Sequence, residues 1–185
     1  STEEGIWIDR LNRIGMMYFR PLITASYLAP GVDEQQRIRL FKAIERFIFL
    51  AFRLSRAFST FRNSEFYKAA RELRSGEITI NTIIHNLEHQ LKWTHFDKGN
   101  GDFDFEYFKK YMDKKINSGG GYYNWNGLRY FLFEYEFSLY STRGNVKITT
   151  DNFFKKPDRD KVSIEHIYPQ TPKDEYWINH FAQWN

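Results

Sequence analysis

Phe47-Ile48-Phe49-Leu50-Ala51-Phe52 is a run of six apolar residues with no polar face. It continues a pattern begun at Ile38, where Ile38, Phe41, Ile44, Phe47 and Ile48 recur at steps of three and four, the period of one helix face. Asp33 and Glu34 place acidic residues at the start, as a helix N-terminus favours. The expectation is a long helix from Asp33 through Leu54 that is amphipathic at first and apolar almost all round between Phe47 and Phe52. A helix apolar on every side is surrounded by other elements, so this one belongs at the centre of the fold.

Working outward, the flanking segments also read as helices. Upstream, Ile6, Trp7, Ile8, Leu11, Ile14, Met17 and Tyr18 define a first helix that Pro21 interrupts, and Leu22 to Leu28 a second that stops at Pro30-Gly31. Downstream come Ser64 to Leu73, closed by Ser75-Gly76, then Asn81 to Trp93, Phe105 to Ile116 and Gly127 to Tyr140, the last ending at Arg143-Gly144. The break Ser118-Gly119-Gly120-Gly121 lacks the Gly-Lys-Ser or Gly-Lys-Thr of a phosphate-binding loop, so no nucleotide is assigned to it. Val146 to Thr149 suggests a brief strand. The predicted class is mainly α: a multi-helix bundle with a short late β element. Its boundary falls near Pro157, with a helical scaffold over 1–157 and a smaller motif over 158–185.

The 185 residues include 18 Phe, 12 Tyr and 5 Trp, so the core is expected to be built largely from rings. A formal charge of +4 and a pI near 9.1 permit nucleic acid as a partner without demanding it. With no cysteine there is neither a disulfide frame nor a thiolate zinc site, so any metal is held by oxygen and imidazole. No apolar run approaches the roughly 20 residues that cross a bilayer, and the N-terminus lacks a signal-peptide profile. The expected location is cytoplasmic, with no membrane partner. Ser1 stands where an initiator Met would, so the chain reads as excised from a longer protein.

The chemistry lies late, in Val162-Ser163-Ile164-Glu165-His166-Ile167-Tyr168-Pro169-Gln170-Thr171-Pro172. Val162, Ile164 and Tyr168 at even spacing suggest a short strand that ends at Pro169, which cannot donate to a ladder. Thr171 before Pro172 has the form of an N-cap with proline at the first helical position, and Tyr176, Trp177, His180, Phe181 and Trp184 mark the buried face of the helix that follows. The carboxylate of Glu165 is a hard ligand suited to magnesium or manganese, while neutral His166 can take a proton from water near pH 7. In a regular strand the two side chains point to opposite faces, so the backbone must twist or bulge for both to serve one centre. Without such a centre, His166 is a hydrogen-bonded histidine at a strand end.

Ile164 to Pro172, with the aromatic helix at Trp177, resembles the opening of the HNH (ββα-metal) nuclease motif, and the C-terminal domain of GmrSD-type restriction endonucleases in particular. Leu128-Arg129-Tyr130-Phe131-Leu132-Phe133-Glu134-Tyr135-Glu136 resembles the helix that precedes that motif. The resemblance implies a metal-dependent DNA endonuclease of a bacterial restriction and phage-defence system, with His166 as general base and Glu165 as metal ligand. It also implies an NTP-using domain or subunit N-terminal to this segment. The family pattern further requires a second strand, a bracing Asn and a final His or Asn ligand. Asn179, His180 and Asn185 come too early for it, so the motif is expected to be incomplete here and the chain inactive alone.

Two other patterns carry rival readings. Arg39, Lys42, Arg46, Arg53 and Arg56 lie along one side of the long helix, as a row that tracks a phosphate backbone or as an ordinary solvated face. His85-Asn86-Leu87-Glu88-His89 matches the His-x-x-Glu-His pattern of a zinc peptidase. However, Ile80, Ile83, Ile84, Leu87 and Leu91 define the buried side, which leaves His85, Glu88 and His89 on the wet one. A non-catalytic module that positions DNA or a partner is the alternative to the nuclease.

Overall fold

The computed structural model describes residues 2–15, 17–55, 57, 61–96, 98, 102–118, 122, 125–143 and 173–181. Among them are eight α-helices: α1 (Glu3–Ile14), α2 (Arg20–Leu28), α3 (Glu34–Phe47), α4 (Asn63–Ser75), α5 (Ile80–Leu91), α6 (Phe105–Asn117), α7 (Leu128–Arg143) and α8 (Glu175–Phe181). The protein is mainly helical, and no strand occurs among the described residues. The two strands expected at 146–149 and 162–168 lie outside those residues, as does the Pro157 boundary. By contacts between backbones the chain divides into two compact units, Ser1–Glu134 and Tyr135–Asn185, with the division inside α7.

In the first unit the helix limits follow from local chemistry. Thr2 caps α1 by accepting from Gly5 N, and α3 starts on a reciprocal capping box in which Asp33 accepts from Gln36 N and the Gln36 side chain accepts from Asp33 N. Thr79 and Asp104 cap α5 and α6 by accepting from Thr82 N and Tyr107 N. The first helix is shorter than its apolar pattern suggests. It ends at Ile14, because Gly15 adopts φ 62° and returns its N–H to Leu11 O, and Met17–Phe19 form a separate 3₁₀ turn. Pro21 opens α2 rather than kinking α1, at a position where its missing N–H costs nothing.

The central helix also differs from expectation. Beyond α3, Ile48–Leu54 continues as a π-helix, shown by Ser55 N donating to Leu50 O at 3.0 Å. Ile48, Leu50, Ala51, Phe52 and Leu54 are all buried, so the segment is enclosed as its apolar run implies. Around it Phe19, Phe47 and Phe66 form a ring cluster with centroids 4.3–5.9 Å apart, and Phe96 packs on Phe103, Tyr107, Phe108 and Tyr111. The core is ring-built, as the composition predicts.

In the second unit α8 begins at Glu175, later than the Thr171-Pro172 start. Asp174 supplies the cap, its side chain accepting from Tyr176 N at 2.8 Å and its carbonyl from Trp177 N at 3.1 Å. Aspartate is the stronger N-cap. Tyr176, expected on the buried face, is 56 % exposed, while Trp177 is half-buried against it. The side chains of His180 and Phe181, and Trp184 altogether, lie outside the described residues.

Candidate functional site

Tyr130 and Glu134 stand one turn apart on α7 and therefore face the same way. Both reach a charged cluster made with α1 and α3. Arg13 brings Nε to 2.8 Å and Nη2 to 2.6 Å from Glu134 Oε1, and Arg10 lies with Nε 3.4 Å from Glu134 Oε2 and Nη2 3.5 Å from Glu45 Oε1. The Tyr130 hydroxyl donates to Glu45 Oε1 at 2.5 Å. Arg10 also covers the Trp7 ring and Arg13 the Phe133 ring, at 4.6 and 5.0 Å.

The side chains of Arg13 and Glu134 are only 9 % and 11 % exposed, so the pair sits where water screens it poorly. Burial, reinforced by the Glu45 carboxylate, holds the Tyr130 phenol protonated far above its ordinary range. Burial alone would lower Arg10, but Tyr130, Glu134 and Glu45 outweigh it and raise its pKa. Two guanidinium groups balance two carboxylates, which leaves no net negative charge to attract a cation. Among the described residues no group of three or more His, Asp or Glu is placed to hold a metal ion. What this arrangement can do is fix the first turns of α7, up to Glu134.

A second set of bonds holds the stretch before α7. A helix end leaves carbonyls unpaired. The π-helix satisfies two of its last through later side chains: Trp125 Nε1 donates to Arg53 O at 2.7 Å and the Tyr111 hydroxyl to Leu54 O at 2.6 Å. Gly127 lets Trp125 approach, since a Cβ there would meet Trp125 Nε1 at 2.7 Å and Arg53 Cβ at 2.9 Å.

Glu165, His166 and the whole stretch 162–172 lie outside the described residues, as does Asn185. Of the basic row on α3 and the π-helix, Arg39 donates to Asn81 Oδ1 of α5 at 2.9 Å and Lys42 pairs with Glu3 of α1 at 3.1 Å. Arg53 closes the end of α1, donating to Ile14 O and, at 2.9 Å, to Gly15 O, and burial lowers its pKa. Arg46 is half-buried in the last turn of α3, and Arg56 lies outside the described residues. The row is thus divided among different neighbours. His85 and His89 are exposed on α5 with ring centroids 6.5 Å apart, Glu88 is exposed beside them, and Ile80, Ile83, Leu87 and Leu91 are buried opposite.

Arg10, Arg13 and Glu45 were not singled out from sequence. The signal available was slight: Arg10 and Arg13 three apart, Tyr130 and Glu134 four apart, with nothing local to pair them.

Comparison with curated proteins, and with solved structures, returned no match. Residues 102–185, a little under half of the chain, match the family described as GmrSD restriction endonucleases, C-terminal domain. The matched stretch contains α6, α7, α8 and the Glu165-His166 pair, and bears out the resemblance to the C-terminal domain of GmrSD-type restriction endonucleases. Residues 102–185 are therefore similar to the C-terminal domain of GmrSD restriction endonucleases.

Proposed function

We propose that this chain is part of a metal-dependent DNA endonuclease of the HNH type, acting in the cytoplasm of a bacterium as a restriction and phage-defence enzyme. The observation that supports this reading is the family match over 102–185, which spans the Glu-His pair at 165–166. The scaffold is 1–157 and the motif 158–185. DNA is the substrate, and an NTP-using domain or subunit is the partner.

The donor set fits a hard divalent cation. Glu165 offers a carboxylate oxygen, and the chain has no cysteine to favour a softer metal. Magnesium or manganese, when bound, offsets charge on the scissile phosphate and leaving oxygen. His166, neutral near pH 7, accepts the proton of the attacking water. The water oxygen bonds to phosphorus, one P–O ester bond breaks, and the products are a phosphate monoester and a hydroxyl. The charged cluster of Arg10, Arg13, Glu45, Tyr130 and Glu134 fixes the first turns of α7.

Plasmid cleavage by the full-length protein that contains this chain, in magnesium or manganese, tests the assignment. His166→Ala is expected to lower the rate by about 10²- to 10⁴-fold, the usual contribution of a general base. Cleavage that persists unchanged in His166→Ala removes the base assignment, and no cleavage by wild type under any divalent ion leaves the non-catalytic module.

A further inference from the structure

The helices α2 and α4 run parallel. Their starts meet where the Phe19 and Phe66 rings lie 4.3 Å apart, and their ends meet where Gly76 approaches the Pro30 ring. An open groove of about 760 Å³ lies between them, with Arg20 and Leu28 on the α2 side and Ser64, Tyr67, Arg71 and Arg74 on the α4 side. Tyr67, Arg71 and Arg74 follow at steps of four and three and so share one face of α4. Tyr67 is 44 % exposed, the three arginines are exposed, and among the described residues no carboxylate lines the groove.

These arginines differ from the others of the first unit. Arg10, Arg13, Arg37, Arg39, Arg53 and Arg62 are engaged by carboxylate, amide or carbonyl oxygens. Among the described residues Arg20, Arg71 and Arg74 have no ion pair or hydrogen bond. Three like charges around one groove repel one another, and an anion relieves that repulsion. The helix ends add to it. Neither α2 nor α4 has a side-chain N-cap, and because the helices are parallel both positive dipole ends lie at the Arg20–Ser64 end of the groove.

We propose that the groove binds DNA by its phosphodiester backbone, with Arg20, Arg71 and Arg74 on phosphate oxygens and Tyr67 beside the strand. The choice of DNA among polyanions rests on the endonuclease reading. Guanidinium groups lining one groove suit phosphates, each of which a guanidinium fork can grip through two oxygens. Such contacts set register and affinity and carry no sequence information.

Each phosphate contact on duplex DNA contributes a salt slope of about 0.9, which corresponds to about fivefold in affinity at roughly 0.15 M salt. Three contacts amount to about 100-fold. The test is fluorescence anisotropy of the chain titrated into a short fluorescein-labelled DNA duplex, in EDTA so that nothing is cut, at several salt concentrations. Replacing Arg20, Arg71 and Arg74 together by Gln is expected to weaken binding about 100-fold and to lower the salt slope by about 2.7.

A control with the same charge change elsewhere, Lys68→Gln with Lys92→Gln and Lys98→Gln, is expected to retain most of the affinity. Circular dichroism confirms that both variants fold, as substitution at exposed positions permits. Binding unchanged in the arginine variant overturns the proposal. So does an equal loss in the lysine control, which would reduce the effect to net charge, and so does a groove that binds a poly-glutamate peptide but not DNA. Because cleavage is not measured, retained groove binding with no cutting by the full-length protein leaves this inference standing and removes only the endonuclease reading.

Discussion

Glu134 tests whether the buried charge cluster holds α7 in place. Its carboxylate is shared by two guanidinium groups, Arg13 at 2.6 Å and Arg10 at 3.4 Å, so Glu134→Gln keeps the shape and removes the charge that faces Arg13. At an effective dielectric near 20, one pair at such separations is worth about 4 kcal/mol of Coulomb energy, and breaking a buried pair costs about 3–5 kcal/mol because a charge is stranded. Arg10 is 28 % exposed and recovers part of its loss from water and from Glu45, so the lower end, about 3 kcal/mol, is the expected cost. With a urea m-value of about 2 kcal/mol/M, the midpoint of unfolding falls by about 1.5 M at constant m. The cycle with Arg13→Met and Glu134→Leu separates pairing from bulk. The double variant regains about 2 kcal/mol of the summed single losses, since two apolar side chains replace two charges that need one another. A midpoint shift below about 0.3 M in Glu134→Gln, or strictly additive singles in the cycle, refutes the reasoning.

Two further perturbations address the same helix. Tyr130 is held protonated above its unfolded pKa of about 10, so the folded state keeps a proton that the unfolded state releases. Its contribution is complete below about pH 10 and is lost as pH rises beyond, with Glu45, Glu134 and Arg10 the charged groups around it. Tyr130→Phe is expected to cost about 1.5 kcal/mol near neutral pH and to flatten the alkaline fall in stability, read as urea midpoints across pH 8 to 11. An alkaline limb as steep as wild type would contradict this. Gly127→Ala introduces a Cβ within 2.9 Å of Arg53 Cβ, next to the backbone and unable to swing away, so a loss of about 1–3 kcal/mol is expected. Trp125 fluorescence should shift as its bond to Arg53 O is disturbed. Unchanged stability would mean that the loop adjusts freely.

What the sequence disclosed and what it withheld divide along the range of the interactions. Helix starts and stops are local, so Asp33, Gly76 and the apolar face Ile80–Leu91 were legible from neighbours three or four residues away. The resemblance at Ile164–Pro172 was equally local and the family match agrees with it. The π-helix was not legible, because an apolar run is compatible with α or π geometry. Here the π turn is accompanied by Trp125 and Tyr111 on its last carbonyls, 72 and 57 residues downstream. Nothing local marks Arg10, Arg13 and Glu45, which are half-buried and meet side chains of α7, Glu134 lying 121 residues from Arg13. The early end of α1 needed the φ of Gly15, where Pro21 was the louder signal. The α8 cap illustrates a smaller competition: Thr171-Pro172 is the start read from sequence, whereas Asp174 makes the observed bonds.

The family boundary and the packing boundary do not coincide. The match begins at residue 102, yet four side chains that follow it are satisfied by groups that precede it: Tyr111 by Leu54 O, Trp125 by Arg53 O, Tyr130 by Glu45 and Glu134 by Arg13. Each partner is a buried or half-buried polar group, and a polar group left without its partner in such a place costs about 1–3 kcal/mol, more when charged. The summed cost of separating the two sides is comparable to the whole stability of a domain this size, roughly 5–15 kcal/mol. Residues 102–134 therefore fold as the closing part of the upstream helical unit, consistent with the unit boundary after Glu134 rather than near residue 102. The upstream helices, though outside the family match, are what hold the first turns of α7 in one position. The proposed base and metal ligand at 165–166 follow in sequence a helix whose turns up to Glu134 are held by ion pairs and ring packing.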